Sequence, residues 1–533
     1  MNKIYFFALG LICIFTIPVS AQFPGMVDSS FNGNGKVIYD FGFHENLTDV
    51  KVQPIDQKIV TVGTAINPSF SGKLLAIRLL PNGAFDTTFN DSGIVIIPNF
   101  NESYAYEAII KDDGKILIAG AAADPNFIFS MLCIQLNGDG SLDSTFGING
   151  FATPRFFTAD EFAYAMALQA DGKIILAGST LDAGGHNMPS LVRLNQDGSL
   201  DSTFGAAGIA FISVTEIDNR LNSVFIQADG KIVASGHFDQ GLTLSGQFDF
   251  DVLVTRFNTD GTIDTTFGNA GMTLTPISVE YIEDALGMKQ SADGGIVVSG
   301  FTTIPDFTFD MIMVKYDSTG ALVPTFGNAG IVQFDNDIQD VGYDVAIQND
   351  GKILVGGTSG GFFFDDRDFL LMRYDANGQV DTIFGNFGLV LTPIMNDFDE
   401  ANAITLQADG KIILAGKGNN GSQNDLAVVR YWNNTTTGIS EIKQSTTLSL
   451  YPNPAQSGNS ISIEWNESSS STIQLVLMDS FGRTIDQIQV KNQGTDKSKV
   501  VYQLPSTLSN GFYLVSIIQE NGVSSTAKVM IQN

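Results

Sequence analysis

Sulfur, indole and imidazole are scarce in this chain of 533 residues, which holds two cysteines, two tryptophans and three histidines. Cys13 lies in the first apolar stretch, so a chain that loses that stretch keeps Cys133 alone and forms no internal disulfide. Stability then has to come from packing. His44, His186 and His237 stand in no metalloprotease spacing, and the chain shows no Gly-x-Ser-x-Gly elbow, Cys-His pair or glycine loop leading into a helix. Cations are short as well. Lys and Arg total 28 against 57 Asp and Glu, and the net charge of −29 repels phosphate backbones and anionic lipid surfaces, so nucleic acid is not expected as a partner.

Long apolar runs are confined to the start. Lys3 supplies a positive n-region, Ile4 to Val19 the apolar stretch, and Val19-Ser20-Ala21 a small-residue cleavage site, so residues 1–21 read as a secretory signal peptide. The mature chain is expected to begin near Gln22. No later stretch is long and apolar enough to cross a bilayer, so the mature chain is expected to carry no transmembrane segment.

What the chain does have is a repeat. The segment around Asp-Ser/Thr-Thr-Phe-Gly recurs seven times, with phenylalanines at Phe31, Phe89, Phe146, Phe204, Phe267, Phe326 and Phe384, spaced by 58, 57, 58, 63, 59 and 58 residues. Between copies the same order returns: a short alternating run, an Asp-Gly turn, an apolar run ending in Gly, a variable loop, and a run ending in a basic residue. In the third copy these are Ala163–Leu168, Asp171-Gly172, Lys173–Ala177 before Gly178, and Ser190–Leu194. Alternation on both sides of Asp-Gly is a hairpin signature, because both turn positions tolerate positive φ. Each period therefore supplies four strands, A to D, and predicts an all-β, seven-bladed β-propeller over residues 22–434. The chain opens on a D-type segment, Lys36–Phe41, and its last repeat ends on a third strand, Leu426–Trp432. The N-terminal strand is thus expected to close the last blade and leave no open edge. Cys133 shares its register with Ala76, Leu191 and Val254 in other copies, which marks it as a buried apolar position and not a nucleophile.

Asp-Ser-Thr-Phe-Gly with Asp-Gly-Lys-Ile about 25 residues later resembles the delta-60 repeat family over roughly 400 residues, which implies a propeller-like exported protein and no established activity. A polar linker follows at 435–445. Residues 446–533 then show alternating runs at Ile473–Met478, Ile485–Val490 and Phe512–Ile517 that suggest a small β-sandwich. Its Tyr451-Pro452-Asn453-Pro454 opening, Asp479–Arg483 turn, Gly511-Phe512-Tyr513-Leu514 strand and terminal Lys528-Val529 together resemble the type IX secretion C-terminal sorting domain of Gram-negative bacteria. That resemblance implies the type IX secretion machinery as a partner, a secreted or cell-surface location, and removal of the domain after export.

Candidate chemistry is thin. Trp432 and Trp465 are too few for the tryptophan docking pattern of quinoprotein propellers. The turns Asn137-Gly138-Asp139-Gly140, Asn195–Gly198, Asn258–Gly261 and Asp375–Gly378 carry oxygen ligands at positions one and three, as a Ca2+ loop does. Asn, Asp and Gly also close tight turns unaided, and that reading is favoured, with no cofactor expected. Arg78, Arg193, Arg256, Lys315, Arg373 and Arg430 recur near the end of the third strand, Gln135 breaking the series. They are expected to hold blades together through a repeat carboxylate such as Asp201. The loops between B and C and between D and A differ from copy to copy, and alternating strand direction puts both sets on one face. Their aromatic and acidic residues, with Phe156, Asp160, Phe248, Asp249, Phe362 and Asp365 foremost, suit a glycan or protein ligand. The favoured reading is a non-catalytic binding or adhesion module. The alternatives are a glycan-directed hydrolase using loop carboxylates and a calcium-stabilised structural surface protein.

Overall fold

The computed structural model describes residues 23–42, 44–67, 71–214, 216, 218–243, 246–278, 281–304, 308–336, 339–361, 367–395, 397–433, 448–465, 472–478, 484–491, 498–519 and 522–532. The signal-like stretch, the linker, Phe362–Asp366 and the Asp479–Arg483 turn fall outside these residues. The chain divides into a compact unit Pro24–Asn434 and a second that contains Thr435–Asn533.

The first unit is a β-propeller whose described strands make seven four-stranded antiparallel sheets, with parallel bridges between neighbours at Phe250 and Ile282, Phe309 and Gln339, and Arg367 and Phe398. The third sheet is typical: Glu161–Leu168, Ile174–Leu181, Asn187–Leu194 and Ile209–Phe211, from the inside outwards. Each first strand packs beside the first strand of the next sheet, and that of the last, Glu400–Leu406, returns to that of the first, His44–Val52. The ring is closed by the chain's opening strand Lys36–Tyr39, which pairs with Asn424–Tyr431 in the register Lys36 to Val429 and Tyr39 to Leu426. Nearby, Asp28 N–H donates to Arg430 O at 2.8 Å.

The alternating apolar residues fill the spaces between sheets. Leu117, Cys133, Phe146, Ala163, Leu176 and Val192, from the second and third sheets, form one such core, and Cys133 is fully buried there. The seven repeat phenylalanines are at most 1 % exposed. The glycine that ends the apolar run lies inside each second strand and has a specific task. A Cβ on Gly178 would fall on the Phe162 carbonyl oxygen, and Gly120 and Gly416 stand the same way against Tyr104 and Glu400. Opposite each of these glycines the first strand slips register by one residue, at Thr48, Tyr106, Tyr164, Asn222, Leu286, Tyr343 and Asn402. Such a bulge re-aims the unpaired side chain, here toward the axis of the ring.

Alternating strand direction gives two faces. Short Asp-Gly and third-to-fourth strand turns form a turn face, and longer loops form a loop face. The series of basic residues lies on the turn face as a repeated latch. Arg193 Nε donates to Asp201 Oδ2 at 2.7 Å, its guanidinium lies 4.6 Å from the Phe204 ring centroid, and its Nη1 reaches Thr259 O of the next sheet at 2.6 Å. Arg78, Arg256, Arg373 and Arg430 repeat this pattern with Asp86, Asp264, Asp381 and Asp28. The lysine after the Asp-Gly turn joins the same carboxylate, as Lys173 does on Asp201 at 2.9 Å. Despite burial, hydrogen bonds from Thr203 and Lys173 hold the Asp201 carboxyl well below the usual range. Where Gln135 replaces arginine, it still donates to Asp143 at 2.7 Å and Lys115 supplies the charge at 2.7 Å. In the fifth sheet Val323 replaces the aspartate and Gly295 the lysine, and Lys315 turns to Asp293 at 2.8 Å.

The second unit is a sandwich of a three-stranded sheet, Ser449–Tyr451, Ser460–Trp465 and Ser498–Gln503, and a four-stranded one, ordered Thr484–Lys491, Thr472–Met478, Gly511–Gln519 and Gly522–Ile531. Ile461, Trp465, Leu475, Val515 and Val529 are among its core residues.

Candidate functional site

Two places collect polar and aromatic side chains outside the repeated scaffold: the loop face and the central channel. On the loop face a carboxylate recurs at the start of the first strand, and Glu161, Glu283, Asp340 and Asp399 are all fully buried. They cap the preceding loops. Glu161 Oε1 accepts from Phe156 and Phe157 N–H at 2.9 and 2.7 Å, Asp399 Oδ2 from Ile394 and Met395 N–H at 2.6 and 3.0 Å, and Asp340 Oδ2 from Asn336 N–H at 2.8 Å. Glu283 Oε1 accepts from Ser278 N–H and Oγ at 3.0 and 2.8 Å and from Thr302 Oγ1 at 3.1 Å. Burial pushes the Glu283 carboxyl up to about 7, ahead of the opposing hydrogen bonds.

The loop residues singled out by the sequence separate into different roles. Phe156 is half-buried against the core between the second and third sheets, its N–H held by Glu161. Asp160 Oδ1 accepts from Phe129 N–H at 2.9 Å and so ties neighbouring sheets. Phe248 is 47 % exposed beside half-buried Asp249, on a hairpin, Ile232–Leu242 with Phe248–Phe257, that is the longest on this face. Leu242, its cross-strand partner, is 66 % exposed. Phe362 and Asp365 lie outside the described residues. The turns with calcium-like spacing close on themselves: Asp139 Oδ1 accepts from Ser141 N–H and Oγ at 2.9 and 2.6 Å, and Asp197 does the same with Ser199. Asp40, Glu45 and Asp425 converge within 4.8 Å at the closing seam. Burial, with Asp40 nearby, raises the Asp425 carboxyl.

The channel was not picked out from the sequence. Its cavity of about 220 Å³ receives side chains from all seven first strands, the seven bulged residues among them. An aromatic strip leads into it. Tyr104 stands 5.7 Å from Phe129, Phe129 stacks on Phe162 at 5.3 Å, Phe162 on Tyr164 at 5.7 Å, and Tyr164 meets Tyr106 at 5.0 Å. All five rings are half-buried. Tyr104 and Phe129 stand opposite the small side chains Ala121 and Ala123.

Next to the strip lies a charged wall. Arg220 Nη2 contacts Asp284 Oδ2 at 2.9 Å, Asn222 Nδ2 donates to Asp284 Oδ1 at 2.7 Å, and His237 Nδ1 lies 3.1 Å from Asp284 Oδ2. His237 is 2 % exposed and stacks on Phe250 at 4.9 Å. Against the burial that opposes its charge, Asp284 and Asp218 raise its imidazole to about 9. Deeper in the channel Lys51 lies 2.8 Å from Asp49 and 3.6 Å from Glu107, and Lys289 lies 4.0 Å from Asp344. The signal for this site was the alternating aromatic pairs Tyr104/Tyr106 and Phe162/Tyr164, which equally suit a buried core strand.

Five segments, residues 111–146, 169–204, 227–267, 348–384 and 407–436, match the family model described as a domain of unknown function (DUF5122) beta-propeller. Residues 449–532 match the secretion system C-terminal sorting domain. The chain carries DUF5122 β-propeller repeats and ends in a type IX sorting domain. The interval left unmatched between 267 and 348 holds the fifth sheet, where the latch residues have changed together. In the sorting domain the motif pieces meet: Asn453 Nδ2 donates to Lys528 O at 2.7 Å, Met530 N–H donates to Asn453 Oδ1 at 2.9 Å, and Tyr513 pairs with Val529. Tyr451 is 77 % exposed, and Lys528 Nζ lies 3.6 Å over Phe512. This tail directs the chain to the cell surface or the extracellular space.

No curated protein matches the sequence. Among solved structures, an ulvan lyase of a polysaccharide lyase family is 12 % identical, with a TM-score of 0.42 over 78 % of this chain and 95 % of that one. A glucose dehydrogenase is 11 % identical at TM-score 0.35, over 60 % and 95 %. A gluconolactonase from Xanthomonas campestris is 12 % identical at 0.30, over 61 % and 98 %. At these values the likenesses carry no argument about activity.

Proposed function

We propose that the exported propeller is a non-catalytic binding or adhesion module that engages a glycan or protein ligand on its loop face. The observation that carries this reading is the hairpin of the fourth sheet. It exposes Leu242 and Phe248 beside Asp249 on a surface that the ring does not need for closure. Exposed aromatic and acidic groups on a projecting edge suit recognition of a sugar or a basic protein surface. The full-length chain is tested on a glycan array and against immobilised surface proteins, with and without calcium. Retention of a ligand without turnover, weakened about tenfold or more by Phe248→Ala, is expected.

The alternative of a glycan-directed hydrolase is favoured by one observation, the Glu283 carboxyl at about 7, a value that suits a general acid. Its complete burial and its hydrogen bonds to Ser278 and Thr302 favour loop capping instead. Release of reducing ends from a bound glycan, abolished by Glu283→Gln, would overturn the binding reading.

A further inference from the structure

We propose that the central channel is a binding site for a neutral sugar residue, entered from the loop face along the aromatic strip of the second and third sheets. The inference rests on the binding reading above and names a site distinct from the exposed hairpin. The seven first strands are equivalent in the ring, yet their axis-facing residues are not. Where the second and third sheets carry Tyr106 and Tyr164, the first and fourth carry Thr48 and Asn222. Two residues earlier, Tyr104 and Phe162 stand where the sixth sheet has Val341. The ring closes with small, polar or aromatic residues at these positions, so its architecture does not require the aromatics. Five half-buried rings, each 5.0 to 5.7 Å from the next, form a continuous apolar surface that leads to a cavity.

The ligand class follows from three properties of the lining. Each of its cations already has a carboxylate partner, since Lys51 faces Asp49 and Glu107, Lys289 faces Asp344, and Arg220 faces Asp284. A charged ligand would displace one of these pairings, whereas a hydroxylated one can donate to and accept from them. The aromatic faces suit the apolar C–H face of a sugar ring, and Asn46 and Asn402, joined at 2.8 Å where the first and seventh sheets meet, add amide groups. The cavity of about 220 Å³ is smaller than the roughly 300–1,000 Å³ of pockets for drug-sized ligands, so it holds a single residue, free or at a chain end.

Calorimetry on the full chain with glucose, galactose and rhamnose, and with glucuronate and glucosamine as charged counterparts, tests the proposal. A neutral hexose is expected to bind, with about a tenfold or greater loss in Tyr164→Ala and in Leu286→Trp, which fills the channel from the opposite wall. Ile148→Ala, at a residue 80 % exposed on the turn face, is expected to leave this affinity within about twofold. Thermal melts confirm that each variant is folded, and Tyr164→Phe, which keeps the ring, is expected to restore binding. If sugars bind equally well to Tyr164→Ala and Leu286→Trp, the channel site is overturned while the binding reading stands. A preference for glucuronate or glucosamine overturns the neutral class. If no sugar binds any form, the channel inference falls, and retention of a surface protein on the loop face then decides the broader reading separately.

Discussion

Arg193 shows how much of this protein hangs on single side chains. Its guanidinium is shared among the carboxylate of its own repeat, the face of Phe204 and a carbonyl of the next sheet, and it is nearly closed to solvent. Arg193→Met leaves Asp201 with Lys173 alone and removes the partner of the Thr259 carbonyl, so it is expected to destabilise the propeller by about 1–3 kcal/mol, read by denaturant unfolding. The double variant with Asp201→Asn is expected to recover a large part of that loss, because both charges then leave together. Additive losses in the double-mutant cycle would show that the pair is not coupled. The sequence presents the same logic in two places. The second sheet keeps the aspartate and the lysine, so that Lys115 alone supplies the charge beside Gln135, and the fifth sheet loses aspartate, lysine and arginine as a set.

Among the elements, the first strands and the loops they anchor divide into what was legible and what was not. The hairpins, the four-strand period and the closing strand were legible, because Asp-Gly turns between alternating runs fix the strand register locally. The channel was not. Alternation predicts which side chains share a face, but the bulge at Tyr106 and Tyr164 breaks the alternation, and it is set by a glycine on the partner strand. Nor does the sequence separate Phe156, which is packed and capped, from Phe248, which is exposed: both precede acids in variable loops, and burial alone distinguishes them. The capping carboxylates make a prediction at this scale. With its carboxyl raised from 4.5 to about 7, Glu283 contributes stability that is full below about pH 4.5 and lost as pH rises through about 7. Glu283→Gln, which imitates the protonated acid, is expected to match the parent near pH 5 and to exceed it by about 1–3 kcal/mol above pH 8. A variant less stable than the parent at both pH values would refute this role.

The whole molecule combines these effects with opposite signs. The latch aspartates, held below their ordinary 3.8, contribute stability that is present above that value and lost as pH falls. Glu283 loses its contribution toward pH 7. His237, raised from 6.5 to about 9, loses its own as pH rises between those values. The melting temperature is therefore expected to peak between about pH 4.5 and 6.5 and to fall on both sides, a trend that the net charge of −29 reinforces at higher pH. His237→Gln is expected to flatten the decline between pH 6.5 and 9. A maximum above pH 8 would contradict the assignment.

The closing strand has a consequence for the order in which the protein is made and exported. Among the described strands of the propeller, Lys36–Tyr39 is synthesised first and its partner Asn424–Tyr431 last. No partial chain can close its ring, so an emerging propeller carries an unpaired edge until the seventh repeat is present, and closure requires the longest-range pairing in the fold. The sorting domain, which follows the propeller, is synthesised only after every strand of the ring exists.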